Sequence, residues 1–196
     1  ESDIVVAELS SFQLHTMTKS PDVAVITNLS PNHLDVHKSM EEYVEAKKNI
    51  YLHQSENGKL VVNYDNDVTN PLRTVGKTCQ FSFKAKPELS GIYYSDGVVY
   101  KTSGEKLLER SDILLRGDHN VENYLAAISA VWGYVGADEI KKVAKEFMGV
   151  EHRIEFVREL DGVKYYNDSI GTSPTRTIAG LKSFDKNVVL LAGGYD

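Results

Sequence analysis

The chain has 196 residues, 41% of them hydrophobic and 26% charged, a balance that excludes disordered, collagenous and fibrous classes. Twenty-two Lys and Arg stand against 28 Asp and Glu, a net charge of -6 with no basic stripe, which excludes a nucleic-acid partner held through its phosphates. Cys79 is the single cysteine, so no internal disulfide can form, and a buried thiol in a reducing, cytoplasmic setting is expected. No run approaches the roughly 20 apolar residues of a membrane span, and no signal-peptide pattern is present, so no membrane insertion is expected.

Residues 4–9 form the first apolar run, followed by 23–28, 60–63, 79–83 and 188–192. These runs are rich in Val and Ile and barely alternate, the pattern of parallel strands covered on both faces. Ser39, with Glu42 three residues on, is a capping-box signature for a helix over 40–53. On that helix Tyr43, Ala46, Lys47 and Ile50 share one face. Residues 91–101 read as a hairpin around Ser95-Asp96-Gly97, and with 79–84 and 107–115 they predict a small antiparallel patch. A helix is expected over about 120–135, with Leu125, Ile128 and Val131 inward, and another over 138–148, closed by Gly149. Asp161-Gly162 is the turn of a second hairpin, between 155–160 and 163–167, and a last helix begins at Pro174 with Ser173 as its cap. The expected fold class is α/β, a largely parallel sheet flanked by helices with a small antiparallel patch. A domain boundary is expected at 149–152, dividing 1–150 from 151–196. Both ends of the chain read as cuts within α/β units.

Polar clusters fall at or near the ends of these elements, where open α/β sheets bind ligands. Glu8 closes the first run, ahead of Ser10 and Ser11; a carboxylate there can hold a hard cation such as Mg2+ or simply face water. Thr27-Asn28-Leu29-Ser30-Pro31-Asn32-His33-Leu34-Asp35 follows the second run, as a polar site loop or as a turn built on Asn and Ser. His33 and His37 have a spacing that could bind zinc on a helix, without the Glu of the metalloprotease pattern. Lys47, on the inward face of its helix, needs a partner or a chemical modification, or else snorkels outward. Asn120 and Asn123, three apart, offer carboxamides that can read an adenine edge or cap a helix. His152-Arg153 can reach a phosphate bound between domains. The segment Asn167-Asp168-Ser169-Ile170-Gly171-Thr172-Ser173 can form an anion or ribose pocket. No Gly-x-x-x-x-Gly-Lys-Ser/Thr loop and no Gly-x-Ser-x-Gly elbow occurs in the chain.

Taken in order, these clusters resemble the Mur ligases of peptidoglycan synthesis, over nearly the whole chain. Glu8-Leu9-Ser10-Ser11-Phe12-Gln13-Leu14 is the most specific match and is similar to the branch that adds D-glutamate. The loop through His33 resembles the family's metal-binding loop, and Tyr43-Val44-Glu45-Ala46-Lys47 the segment of its carbamylated lysine. Gly117 to Asn123 resembles the adenine-side motif, His152-Arg153 the start of the third domain, and Tyr166-Asn167-Asp168-Ser169 the ribose- and phosphate-side loop. The resemblance implies an ATP-dependent amide ligase, monomeric in full length. It would join D-glutamate to the L-alanine carboxylate of UDP-N-acetylmuramoyl-L-alanine through an acyl phosphate.

The resemblance also implies that 1–150 is most of the central ATP-binding domain and 151–196 the start of a Rossmann-like, glutamate-binding C-terminal domain. Glu8, His33 and Lys47 would form the catalytic and metal-binding set, with Mg2+ (two ions) and Lys47 as a carbamate. Asn120 and Asn123 would take the base, Arg153 an ATP phosphate and Asp168 the ribose. Ser10 and Asn28 would face substrate, and Thr172 would lie near the incoming glutamate. Ile170 departs from the pattern, since many relatives carry a lysine after Asp-Ser. The family's phosphate loop lies upstream of Glu8, so this chain alone is expected not to turn over. Other readings are a sister Mur ligase, a folylpolyglutamate synthetase-like ligase, a non-catalytic nucleotide-binding module and a zinc-binding structural domain on His33 and His37. The Ser10-Ser11-Phe12-Gln13 run argues against the first two.

Overall fold

A computed structural model describes residues 3–29 and 39–193. Six strands form one sheet in sequential order: β1 (Val23–Ile26), β2 (Lys59–Asn63), β3 (Lys77–Ser82), β4 (Gly91–Ser95), β5 (Val98–Lys101) and β6 (Lys106–Glu109). β1 to β4 are parallel, and β4, β5 and β6 are antiparallel. The parallel register sets Val25 beside Val61 and Val61 beside Cys79. Alternate residues of β2 feed two cores. Leu60 and Val62 pack with Ala24, Ile26, Tyr43 and Tyr51 beneath helix α2 (Met40–Leu52). Val61 packs with Phe81, Val121, Leu125 and Ile128 beneath helix α3 (Asp118–Val131). Both faces of the strand are covered, which is why its sequence does not alternate.

The local chemistry accounts for the joints. The Ser39 hydroxyl accepts the Glu42 N–H at 3.2 Å and opens α2. Asp96 and Gly97, at φ 50° and 81°, make the tight turn between β4 and β5. β4 approaches β3 so closely that Gly91 lies on the backbone of Gln80, where a Cβ would collide with the carbonyl. Helix α4 (Ala137–Glu146) follows α3 and buries Ile140 and Ala144 against the same core. A separate two-stranded antiparallel sheet, β7 (Glu155–Leu160) and β8 (Val163–Asn167), turns at Asp161-Gly162 and leads to helix α5 (Pro174–Lys182).

Several expectations are corrected. Residues 3–9 and 188–192 are not strands: Ile4, Val5 and Val6 are 78%, 85% and 94% exposed, and Val189 and Leu191 about as exposed. Neither run meets a partner strand among the described residues, and without a ladder an extended run leaves its backbone groups to side chains and water. The Rossmann-like start expected after 151 is therefore seen only as a hairpin and one helix. The strand expected to reach Leu115 stops at Glu109, where the Asp112 carboxylate accepts the Glu109 N–H at 2.9 Å and draws the chain into a 3-10 turn. The helix expected to reach residue 135 stops at Val131, ahead of Gly133 with φ 99°. Short helix α1 (Ser11–His15) was not expected, although Ser10 and Gln13 carry the capping box that opens it.

Leu125 is completely buried between α3 and the sheet. Leu125→Ala is expected to cost about 2–5 kcal/mol, read as a lowered urea midpoint. A loss below about 1 kcal/mol would show that α3 is not the cover of this core.

Candidate functional site

The first site lies where α1 and α2 meet. Glu8 precedes α1, whose cap is Ser10: the Ser10 hydroxyl accepts the Gln13 N–H at 3.3 Å, and Gln13 Oε1 accepts the Ser10 N–H at 2.8 Å. The Ser10 side chain also donates to Gln13 Oε1 at 2.9 Å, so its first task is to shape this turn. On α2, Tyr43 and Lys47 are one helical turn apart and face the same segment. A cleft of about 500 Å³ is lined by residues 8–13 together with Tyr43 and Lys47.

Lys47 is half-buried in that cleft. Its ammonium donates to the Leu9 carbonyl at 3.2 Å and lies 5.9 Å from the centre of the Tyr43 ring. Burial pushes the Lys47 pKa below the usual lysine value, and the nearby Glu8 carboxylate opposes that shift in part. The structure thus brings Glu8, Ser10 and Lys47 to one cleft. His33 and His37 lie outside the described residues. Among the described residues no group of three His, Cys, Asp or Glu is arranged to hold a metal ion. Tyr43, which the sequence reading placed only on a core face, is a wall of the cleft; its four-residue spacing from Lys47 was the signal.

A second cluster gathers at the start of α3. Asn120 donates its amide to the Arg116 carbonyl at 2.7 Å, and Asn123 donates weakly to Asn120 Oδ1 at 3.4 Å. Asn120 thus ties its amide to the turn before the helix, whose cap residue Gly117 brings no side-chain bond, and Asn123 remains the exposed carboxamide. Gly117, at φ 84°, has the His119 ring and Ser183 packed against its α-carbon. His119 was not among the expected site residues. Burial first, and the charge of Arg153 second, push its pKa down, while Asp118 and Asp168 oppose. Arg153 and Asp168 are thus both within electrostatic reach of the first turn of α3.

The loop after β8 is tied to the turn before β7. Asp168 accepts the Ile154 N–H at 3.1 Å, His152 accepts the Ile170 N–H through its carbonyl at 3.2 Å, and Asn167 pairs with the His152 ring at 2.8 Å. Thr172 is exposed just beyond, next to the Ser173 cap of α5. Asn28 lies past the end of β1, bonded to Asn63 at 3.0 Å. No helix among the described residues is long and apolar enough to cross a membrane.

A largely parallel sheet covered on both faces, with polar residues at its carboxyl ends and a half-buried lysine in a cleft beside it, is an α/β domain of the kind that binds ligands at its strand ends. The pattern of the Mur ligase middle domain matches residues 1–131, and the chain belongs to the Mur ligase family. It is 56% identical to the UDP-N-acetylmuramoylalanine--D-glutamate ligase of Clostridium beijerinckii, over 100% of this chain and 43% of that protein. The enzyme of the same name from Acetivibrio thermocellus is 58% identical, over 100% of this chain and 43% of that protein. The chain thus spans less than half the length of these curated relatives. Among solved structures, UDP-N-acetylmuramate-alanine ligase from Thermotoga maritima shares the fold at a TM-score of 0.68 and 19% identity, over 89% of this chain and 40% of that one. The MurF ligase from Thermotoga maritima, in complex with ADP, matches at 0.59 and 22% identity, over 84% of this chain and 39% of that one.

Lys47 and its neighbour Lys48 give an internal comparison. The hydrogen bond that Lys48 donates to Glu45 pushes the Lys48 pKa up, whereas burial pushes that of Lys47 down. Amines react only when neutral, so Lys47 is expected to label at a lower pH than Lys48. Competitive acylation across a pH series, read by mass spectrometry, checks this order; coincident midpoints would remove the basis for an unusual Lys47.

Proposed function

We propose that this chain is the main part of the ATP-binding domain, residues 1–150, and the start of the glutamate-binding domain, residues 151–196, of a cytoplasmic, monomeric ligase. The enzyme adds D-glutamate to UDP-N-acetylmuramoyl-L-alanine in peptidoglycan synthesis. What carries the reading is the coincidence of 55–58% identity to ligases of that name along the whole chain with the Glu8–Lys47 cleft in the segment that distinguishes this branch.

The chemistry follows from the poor leaving ability of oxide. The alanyl carboxylate must first take the γ-phosphoryl group of ATP, and the glutamate amine then displaces phosphate from the acyl phosphate. Phosphoryl transfer depends on alignment and on screening of developing charge. Glu8 supplies an exposed hard oxygen donor, which fits Mg2+. Lys47 as an ammonium fits no cation, but its depressed pKa favours the neutral amine that reacts with carbon dioxide, and the resulting carbamate is an oxygen donor. Glu8, carbamylated Lys47 and His33 would then hold Mg2+, which when bound screens the charge on the phosphates and the acceptor carboxylate. Asn120 and Asn123 receive the base at the start of α3. Arg153 contacts a phosphate and Asp168 the ribose, in the loops that are stapled together beside His119. Thr172 lies toward the glutamate, and Ser10 and Asn28 toward the muramoyl substrate.

The full-length protein is expected to release phosphate only when ATP, UDP-N-acetylmuramoyl-L-alanine and D-glutamate are all present, with L-lysine and diaminopimelate inert. Lys47→Ala is expected to lower kcat about a hundredfold or more without a matching loss of melting temperature. Turnover that prefers L-lysine or diaminopimelate would reassign the enzyme to another branch, and nucleotide binding without amide formation would leave a non-catalytic module.

A further inference from the structure

Asn63 ends β2 with its side chain buried, 3% exposed, although nothing in a strand core requires a carboxamide. Its two ends are fixed by different partners. Asn63 Oδ1 accepts the backbone N–H of Asp65 at 2.9 Å. A backbone N–H can only donate, so the oxygen of Asn63 must lie on that side and its NH2 group on the other. That NH2 group donates to Asn28 at 3.0 Å, so the atom of Asn28 it meets must be the acceptor Oδ1. The Asn63 carbonyl is itself held by the Thr69 hydroxyl at 2.8 Å, and Asn66 donates to the Leu29 carbonyl at 3.1 Å, which ties the two strand-end loops together. Asn28 is exposed, and its amide hydrogens have no partner among the described residues.

We infer that Asn63 is a positioning residue that fixes the orientation of Asn28, so that Asn28 presents an N–H donor, never an acceptor, at the carboxyl end of the sheet. The ligand group that such a donor takes is an anionic oxygen, of a phosphate or of a carboxylate; this assignment of a ligand rests on the ligase reading, whereas the orientation of Asn28 does not. The Asp65 N–H sets Asn63, Asn63 sets Asn28, and Asn28 meets the substrate.

The decisive variant is Asn63→Asp in the full-length protein. At neutral pH the new carboxylate can only accept, so it draws the Asn28 amide around and leaves Oδ1 facing outward, against an anion. As pH falls through the pKa of that carboxyl it becomes a donor, and the original orientation returns. The expected result is a kcat/KM about tenfold below wild type at pH 8, with the ratio of variant to wild type rising toward acid pH. In an Asn28→Ala background, Asn63→Asp is expected to add no further loss. A rise confined to the KM for ATP assigns the oxygen to a phosphate; a rise confined to the KM for the muramoyl substrate assigns it to that substrate's carboxylate. A ratio flat with pH, or losses that multiply in the double variant, overturns the proposal. The side-chain 15N–1H signals of Asn28, identified by their absence in Asn28→Asp, decide the orientation without turnover. They should shift and gain protection from exchange in Asn63→Asp at neutral pH and revert in acid; signals unchanged at every pH overturn the inference. Absence of ligand-dependent phosphate release by the wild type would instead sink the ligase reading and leave this second measurement standing.

Discussion

The arrangement depends on how one helix is anchored across the sheet. Lys59 begins β2, and its ammonium closes on the carbonyl oxygens of Ala130 at 2.6 Å and Trp132 at 3.2 Å, where α3 ends, with the Tyr134 ring 5.4 Å away. A cation at a helix C-terminus satisfies carbonyls that have no partner within the helix and complements the helix dipole. Burial pushes the Lys59 pKa down, yet two carbonyls and an aromatic face hold it there. Because the start of β2 is bound to the end of α3, the helix must run antiparallel to β1–β4. Its first turn therefore arrives at the carboxyl ends of the strands. The closeness of Glu122 on α3 to Asp65, just after β2, shows the same thing electrostatically: burial and then the Asp65 charge push the Glu122 pKa up. Asn120, Asn123 and His119 reach the site end of the sheet by this route, while the apolar stripe of Val121, Leu125 and Ile128 secures the contact beneath.

Much of this was legible from residue pattern alone because the same pattern is imposed by burial. β2 reads as a continuous apolar run since Leu60 and Val61 face opposite cores and both are fully covered. The Ser39 cap, the Ser173-Pro174 start and the two Asp-Gly turns are chemical statements made within four residues, so they need no tertiary information. Runs 4–9 and 188–192 carry the same apolar signature, but a strand is a relation between two segments, and pattern cannot supply the partner. The site was legible as residue types at strand ends. Which of them act on ligand and which on each other was not. Asn120 spends its amide on Arg116, Ser10 spends its hydroxyl on Gln13, and Asn63 looked like one more residue of a strand. Those assignments depend on distances across loops far apart in sequence.

The charge of the site follows a consistent rule. The sheet end carries Asp65 with Glu122 close by, and the Asp65 carboxylate is already saturated by the Ser82 hydroxyl at 2.7 Å and the N–H groups of Phe83 and Lys84 at 2.6 and 3.1 Å. Two of the groups that could answer with positive charge are biased toward neutrality: burial pushes down the pKa of Lys47, and burial with Arg153 pushes down that of His119, which leaves Arg153 itself as the fixed cation. Ile170 continues the trend, placing an apolar side chain, 43% exposed, in the loop beside Asp168. Around these strand ends the fixed cations are few, in keeping with the net charge of -6. In the proposed site neutral amides stand beside Arg153 as donors, and neutral donors have a definite physical consequence. They do not collapse onto neighbouring carboxylates as ammonium groups would, so they stay available, but each must be aimed, because a carboxamide rotated by half a turn offers an oxygen instead. The buried contact from the Asp65 N–H through Asn63 to Asn28 is such an aiming device, built into the end of the best-covered strand of the sheet.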